Sequence, residues 1–216
     1  MKCTSVMCGL LLLAVGAAHA SCDPRGTFRI VTADMSPGVD QNSFAAKPKI
    51  AYRSGRLLAR LEEQPDVAAG LHLLFVINAP DSWQINLIDK TGIHSVDHAE
   101  SKDVHMPVFD SDPKLGIPSE LTALEFGCEQ EFFADHDTTL LPNKSGSREL
   151  TMHRVTQGDW RITMLTEVGS DLPRAMMIAK SGKVVQMIRY LSYGHRDDFD
   201  AALFAKPSGI DYHEAE

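Results

Sequence analysis

The sequence has few basic residues for its length. It contains 21 lysines and arginines against 29 aspartates and glutamates, and its formal charge is −8 with histidine neutral. A protein that binds nucleic acid phosphates needs the opposite balance, so nucleic acid is not an expected partner. Nor does the chain have a basic cluster for an anionic membrane surface, because Arg53, Arg56 and Arg60 are spaced among acidic and apolar neighbours.

Long hydrophobic runs are also missing. A helix that spans a bilayer needs about 20 apolar residues, and no stretch after residue 20 approaches that length, so no transmembrane segment is expected. The N-terminus has a different pattern, in which Lys2 precedes the apolar Leu10–Leu13 and Ala18-His19-Ala20 has the small-x-small form of a cleavage site. Residues 1–20 are therefore predicted to be a cleavable signal peptide, and residues 21–216 one exported, periplasmic domain.

Cysteine is scarce. Two of the four, Cys3 and Cys8, lie in the predicted signal peptide, which leaves Cys22 and Cys128 in the mature chain. In an oxidising compartment these two can form a disulfide, which would close a loop of about a hundred residues. Two free thiols, or a lipid attached to Cys22, are the alternatives.

The usual catalytic motifs are absent. The sequence has no Gly-x-Ser-x-Gly elbow, no phosphate-binding Walker loop and no glycine-rich dinucleotide turn. Carboxylate pairs occur at Glu62-Glu63, Glu125/Glu129 and Asp197-Asp198, and in a chain this acidic they are interpreted as solvated. The sequence therefore predicts neither an enzyme nor a cofactor.

Histidines are more frequent, and two of them could share a metal ion. On a strand, His94 and His98 would point to the same side, and neutral imidazoles are good ligands for zinc or copper. No third ligand is set by local spacing. Solvated loop histidines are the preferred interpretation, and no metal site is predicted.

Segments rich in β-branched, aromatic and leucine residues alternate with turn residues over most of the chain. Ser54-Gly55, Gln157-Gly158-Asp159 and Ser181-Gly182-Lys183 separate such segments and predict hairpins, so consecutive strands are expected to pair antiparallel. The predicted strands are Phe28–Ala33, Ile50–Ser54, Arg56–Glu63, Leu71–Asn78, Trp83–Asp89, Glu149–Thr156, Trp160–Val168, Arg174–Lys180 and Val184–Tyr193.

The middle of the chain is less regular. Prolines and a glycine interrupt residues 105–118, which are predicted to form a long loop that crosses the surface. Short helices are expected at Cys128–Ala134 and Asp197–Phe204. The predicted fold is mainly β (α+β): a strongly curved antiparallel sheet, or half-barrel, with one or two short covering helices.

Methionine is concentrated in the second half of the chain. Five of the seven mature methionines lie between Met152 and Met187, where they either fill an ordinary core or line a cavity for a variable apolar ligand. Trp83 and Trp160 each follow a turn and are expected to anchor the sheet.

Several segments together resemble one family of exported proteins. They are Lys47–Arg53, Arg60–Glu63, Trp83–Leu87, Leu124–Gly127, Arg189-Tyr190 and Leu203–Gly209. In their order the chain is similar to the lipoprotein-carrier (LolA-type) half-barrel superfamily. The resemblance implies an open half-barrel, lidded by helices, whose apolar concave face accepts an acyl chain. It also implies an early arginine that sets the lid, for which Arg60 is the nominated position.

We therefore expect a periplasmic protein that binds or carries a lipid, a lipoprotein or another hydrophobic ligand. The alternative is an envelope interaction or sensor module that holds a protein partner without a ligand cavity. Alternation along the strands and the resemblance select as ligand-binding candidates Arg60, Leu73, Phe75, Ile85, Leu87, Met164, Met176 and Met187.

Overall fold

The computed structural model describes residues 22–99, 102–109, 115–145, 148–196, 198 and 200–215, with the main chain alone at 143–145, 148 and 196. The predicted signal peptide lies outside these residues. Twelve strands form one open sheet with the order β12-β6-β5-β4-β3-β2-β1-β11-β10-β9-β8-β7. The strands are β1 (Thr27–Asp34), β2 (Lys49–Ser54), β3 (Leu58–Glu62), β4 (Leu73–Asn78), β5 (Asp81–Asn86), β6 (Thr91–Val96), β7 (Thr139–Ser145), β8 (Arg148–Gln157), β9 (Trp160–Glu167), β10 (Pro173–Lys180), β11 (Lys183–Arg196) and β12 (Asp211–Glu214).

The fold class is the predicted one: a mainly β chain with an open, largely antiparallel sheet and two short helices. All nine predicted strands are present, with ends shifted by up to three residues. The hairpin between β10 and β11 shows why the turn sequence was informative. Ser181 and Gly182 both adopt positive φ, at 49° and 81°, as a two-residue turn between right-twisted strands requires.

Two features of the sheet differ from the prediction. Three strands were not predicted, namely β6, β7 and β12. In addition, the pairing is not antiparallel throughout, because the C-terminal β12 runs parallel to β6 along one edge of the sheet. The two hairpin series meet at β1, which pairs with both β2 and β11.

Helices α1 (Ser119–Thr122) and α2 (Glu129–Asp135) lie between β6 and β7 in the chain. The helix predicted at Cys128–Ala134 is therefore present with a one-residue shift. Of the helix predicted at Asp197–Phe204, the structure has a 3-10 helix at Ala201–Phe204, and residues 197 and 199 lie outside the described chain.

The sheet has two faces, which the strand register assigns unambiguously because directly paired residues point the same way. We call the face that carries Phe28, Ile30 and Ala51 face A, and the face that carries Arg29 and Tyr52 face B. The main core lies on face A, where α1, α2 and residues 104–109 pack on β1, β2 and β8–β11. A smaller core on face B packs Leu74, Val76, Trp83 and Ile85 against Ile210 and Tyr212 of the C-terminal segment.

The interpretation of residues 105–118 as a surface crossing is wrong at Val108 and Phe109, whereas His105, Pro107 and Gly116 are exposed as predicted. Val108 and Phe109 are buried in the main core, and Val104 just before them is also buried. The prolines interrupt secondary structure in this segment, but its apolar side chains still turn inward because they face the apolar side of the sheet. Both tryptophans are buried, Trp160 in the main core and Trp83 in the smaller one.

Candidate functional site

A layer of irregular chain and short helices lies over face A, and we call it the cover: residues 102–109 and 115–135. Main-chain hydrogen bonds attach it to the sheet and to itself. Val104 N donates to Arg56 O at 2.8 Å, and Phe126 N donates to Met106 O at 2.9 Å. The two halves of the cover are thereby held side by side over the middle of the sheet.

A buried arginine joins the sheet to the cover. Arg53 of β2 points from face A, is only 1% exposed, and forms an ion pair with Glu125, which is itself buried. Its other guanidinium nitrogen donates to Val104 O at 2.9 Å. Glu125 Oε1 in turn lies 2.8 Å from His105 Nδ1, so one carboxylate contacts both the sheet and the cover. An uncompensated charge here would be costly, and the pairing is what makes the burial acceptable.

A second acid, Glu129, opens α2 and is fully buried. It accepts hydrogen bonds from the hydroxyls of Tyr190 and Tyr193 of β11, at 2.9 and 2.8 Å, and from Gly127 N at 2.9 Å. Burial raises the pKa of Glu129 to about 7 despite these three donors. Burial beside Glu129 also raises the pKa of both tyrosines, which stay neutral donors.

Cys22 and Cys128 form a disulfide next to these acids, with 5.8 Å between their Cα atoms. It ties the chain before β1 to the residue that precedes α2. The carbonyl of Cys22 also accepts a hydrogen bond from Arg53 at 3.3 Å. The disulfide, the Arg53–Glu125 pair and Glu129 together fix the cover on face A.

Beside the cover, an apolar cleft of about 260 Å³ opens over β3 and β4. Its sheet wall consists of face A side chains, including Leu61 and Phe75, and its other wall is the cover with Met106 and Phe126. The volume lies just below ~300 Å³, the lower end of the range for small-ligand pockets. The lining residues are Ala59, Arg60, Leu61, Phe75, Ile77, His105, Met106, Pro107 and Phe126.

The sequence-predicted ligand residues do not come together at one place. Leu73, Phe75, Met164 and Met176 lie on face A, but Met164 and Met176 belong to the main core. Met164 also lines a separate pocket of about 340 Å³ beside α2. Arg60, Ile85, Leu87 and Met187 lie on face B or its edge. Of the eight, Phe75 and Arg60 border the apolar cleft.

The buried arginine whose side chain contacts the cover is Arg53, whereas Arg60, the position nominated from the resemblance, has other partners. Arg60 points from face B, where it donates to Glu62 at 3.0 Å and to Leu203 O at 3.4 Å. Arg53 and Arg60 both lie in short strands of mixed apolar and charged residues, and the strand register assigns only Arg53 to face A. One indication of this was present in the sequence: Arg53 lies two residues after the apolar Ala51, so both side chains are on the same face of β2.

The interpretation of Glu125 and Glu129 as solvated is also wrong, because both are buried. Sequence reasoning missed them since their partners, Arg53 and two tyrosines of β11, are more than 60 residues away in the chain. The spacing of four residues between the two acids was the only local sign of a shared environment.

His94 does not share a ligand with His98. Its Nε2 lies 2.7 Å from Asp81 and its Nδ1 lies 3.0 Å from Glu214 of β12, and these carboxylates raise its pKa. His98 is exposed beyond the end of β6. Over the described ranges, no group of three or more His, Cys, Asp or Glu residues is arranged to hold a metal ion. No described helix is long and apolar enough to cross a membrane.

Comparisons with known proteins give structural likenesses alone. No family model and no curated protein matches the chain. An uncharacterized conserved protein from Thermus thermophilus is similar in structure, with a TM-score of 0.47 and 11% identity over 89% of this chain and 91% of that one. A structure of PNGF-II is similar with a TM-score of 0.36 and 11% identity over 88% of this chain, which spans about a third (32%) of PNGF-II.

Proposed function

We propose that this chain is an exported, periplasmic protein that binds a lipid, a lipoprotein acyl chain or a comparable hydrophobic ligand in the cleft between the cover and face A. The apolar composition of that cleft carries the proposal. Seven of its nine lining residues are apolar. The two polar ones each have a carboxylate partner, Glu62 for Arg60 and Glu125 for His105, so neither places an unpaired charge in the interior of the cleft. An extended hydrocarbon finds few polar groups to desolvate there.

Burial of hydrocarbon would supply the affinity of this cleft. Burying about eight methylenes at ~0.8 kcal/mol each contributes roughly 6 kcal/mol before the entropy cost of association. The volume of the cleft limits the part of the ligand that it can enclose to a segment of one acyl chain. His105 Nδ1 is bonded to Glu125 at the rim of the cleft, so a polar headgroup would meet this pair as it leaves the apolar interior.

The function rests on binding, and the described residues give no reason to invoke covalent chemistry. One wall of the cleft, residues 105–107, is irregular chain that Arg53 and Glu125 hold in place, so the cleft is formed before a ligand arrives. The N-terminal pattern of Lys2, Leu10–Leu13 and Ala18-His19-Ala20 supports export, and a disulfide between Cys22 and Cys128 is compatible with an oxidising compartment.

The test is titration of the mature protein with N-phenyl-1-naphthylamine, an uncharged apolar fluorophore, alongside native mass spectrometry of protein purified gently from the envelope. Phe75→Glu adds a charge to the cleft wall, and we expect it to weaken dye binding at least tenfold. Gln84→Glu is the matched control, because Gln84 is the cross-strand neighbour of Phe75 on the same face but is exposed and outside the cleft.

A saturable dye site that Phe75→Glu removes and Gln84→Glu retains, together with a lipid-sized adduct, would support the proposal. Equal dye binding by the wild type and Phe75→Glu would contradict it. Circular dichroism of both variants shows whether a loss of binding reflects unfolding.

A further inference from the structure

Face B carries a second unusual surface, over β8–β11 and β1, away from the apolar cleft. The register brings arginines and methionines to the same side of these strands. Met187 pairs with Met177, which pairs with Thr163 and then with Arg154. In the neighbouring row of cross-strand pairs, Arg189 pairs with Ala175, Ala175 with Leu165, and Leu165 with Met152. We call this surface the arginine–methionine face: Arg29, Met152, Arg154, Arg161, Leu165, Met177, Met187 and Arg189.

The arginines of this face pair with no carboxylate among the residues that the structure describes. Arg29 Nε donates to Tyr52 at 3.2 Å, and Arg154 Nη2 lies 2.9 Å from the sulfur of Met152. Arg161 and Arg189 are exposed. Arg154 Nε is buried and has no hydrogen-bond partner.

Of the five other arginines whose side chains the structure describes, four pair with a carboxylate: Arg53, Arg56, Arg60 and Arg174, with Glu125, Asp103, Glu62 and Glu167. The chain has an excess of acids, with 29 against 21 basic residues. Face B therefore has a local positive region in an acidic protein, because no described carboxylate pairs with four of its arginines.

The side chains between these arginines are apolar and adaptable. Met152, Met177, Met187 and Leu165 are half-buried, whereas Met164 and Met176, which alternate with them along the strands, are buried in the core of face A. Methionine changes shape at low cost and is common on surfaces that accept apolar side chains of a partner. From β8 to β1 the face spans four strand spacings, or about 19 Å.

We infer that the arginine–methionine face is a docking surface for an acidic, amphipathic segment of another protein. Arginine forks match carboxylates in bidentate geometry, and methionines between them receive apolar side chains of the same segment. The formal charge of −8 opposes contact with an extended anionic surface such as a membrane or nucleic acid. A short acidic segment, by contrast, is small enough to contact only the local positive region. This inference does not depend on the apolar cleft.

The test uses a synthetic, fluorescein-labelled helical peptide of about five turns, with Glu and Leu at spacings that separate them onto two faces. Fluorescence anisotropy measures its affinity for the mature protein. We expect Arg154→Glu combined with Arg189→Glu to weaken binding at least tenfold. The matched control combines Lys90→Glu with Lys102→Glu, which makes the same change in net charge outside this face, and we expect it to bind nearly as the wild type does.

Two further probes separate the components of the surface. A peptide in which Ser replaces every Leu keeps the charge, and we expect it to bind at least tenfold more weakly. Equal binding of this peptide, or equal binding to both double variants, would overturn the inference. Binding to vesicles that contain phosphatidylglycerol in preference to the peptide would also overturn it, since the surface would then recognise lipid.

Discussion

Arg53 of β2 and Glu125 of the cover, 72 residues apart in the chain, form a buried ion pair that joins face A to the layer packed on it. The pair links the sheet to the segment that walls the apolar cleft. Loss of either side chain is therefore expected to loosen the cover.

Replacing Arg53 by Met should destabilise the protein by about 3–5 kcal/mol, because Glu125 would stay buried without its cation. Denaturant unfolding measures the change. Arg56→Met is the control, since Arg56 forms an exposed pair with Asp103 and should shift the midpoint little. Arg53→Met combined with Glu125→Met should recover part of the loss. If the double variant were less stable than Arg53→Met, the ion pair would not be the cause.

Glu129 should make stability depend on pH. Its pKa is about 7 in the folded protein against an ordinary 4.5, so the folded state holds its proton more tightly than the unfolded state. The stabilisation is complete below pH 4.5, falls as the pH rises to about 7, and does not change above that. Glu129→Gln stays neutral, so its free energy of unfolding relative to wild type should rise by roughly 2–3 kcal/mol between pH 5 and pH 8.

The control for that experiment is Glu131→Gln, which makes the same chemical change on an exposed residue of the same helix. Because Glu131 is exposed, Glu131→Gln should change the free energy of unfolding by no more than about 0.5 kcal/mol. A difference between Glu129→Gln and wild type that does not vary with pH would show that Glu129 titrates normally.

Removing the disulfide by Cys22→Ala with Cys128→Ala should destabilise the protein by about 4–5 kcal/mol, because the bond joins residues 106 apart and closes a long loop in the unfolded chain. Thermal or denaturant unfolding gives the value, and the wild type in excess thiol should unfold at the same midpoint as the double variant. Two titratable thiols in the native, unreduced protein would contradict the prediction.

Gly92→Ala should loosen the C-terminal strand β12. A Cβ at this position would lie 2.9 Å from the ring of Tyr212, which packs against β6, and overpacking of this kind costs about 1–3 kcal/mol. Hydrogen exchange at residues 211–214 should accelerate in the variant. Gly194→Ala is the control, because its nearest neighbour would be at an ordinary 3.8 Å.

The dependence on Tyr212 can be checked directly. In a Tyr212→Ala background the added methyl group no longer meets the ring, although Ile210 Cγ2 would still lie 3.1 Å away, so Gly92→Ala should cost less there than in the wild type. An equal cost in both backgrounds would assign the effect to the backbone of β6.

Local patterns predicted the strands with clear boundaries and failed where pairing partners are distant. The hairpin at Ser181-Gly182 was predictable because a two-residue turn demands particular φ angles. Strand β12 was not, because its four residues pair with β6 through a parallel contact that no turn specifies. The burial of Val108 and Phe109 was missed for a similar reason, since the prolines near them indicate a break in secondary structure but do not show how deeply a side chain is buried.

Composition and spacing in the sequence determined the mainly β fold, the hairpin order and one short helix, because alternation and turn chemistry act between residues close in the chain. Only the tertiary structure decided which face each strand residue occupies, and so separated Arg53 from Arg60 and Met176 from Met177. One residue of register moves a side chain across the sheet. The site therefore depends on contacts between distant segments, which local patterns do not encode.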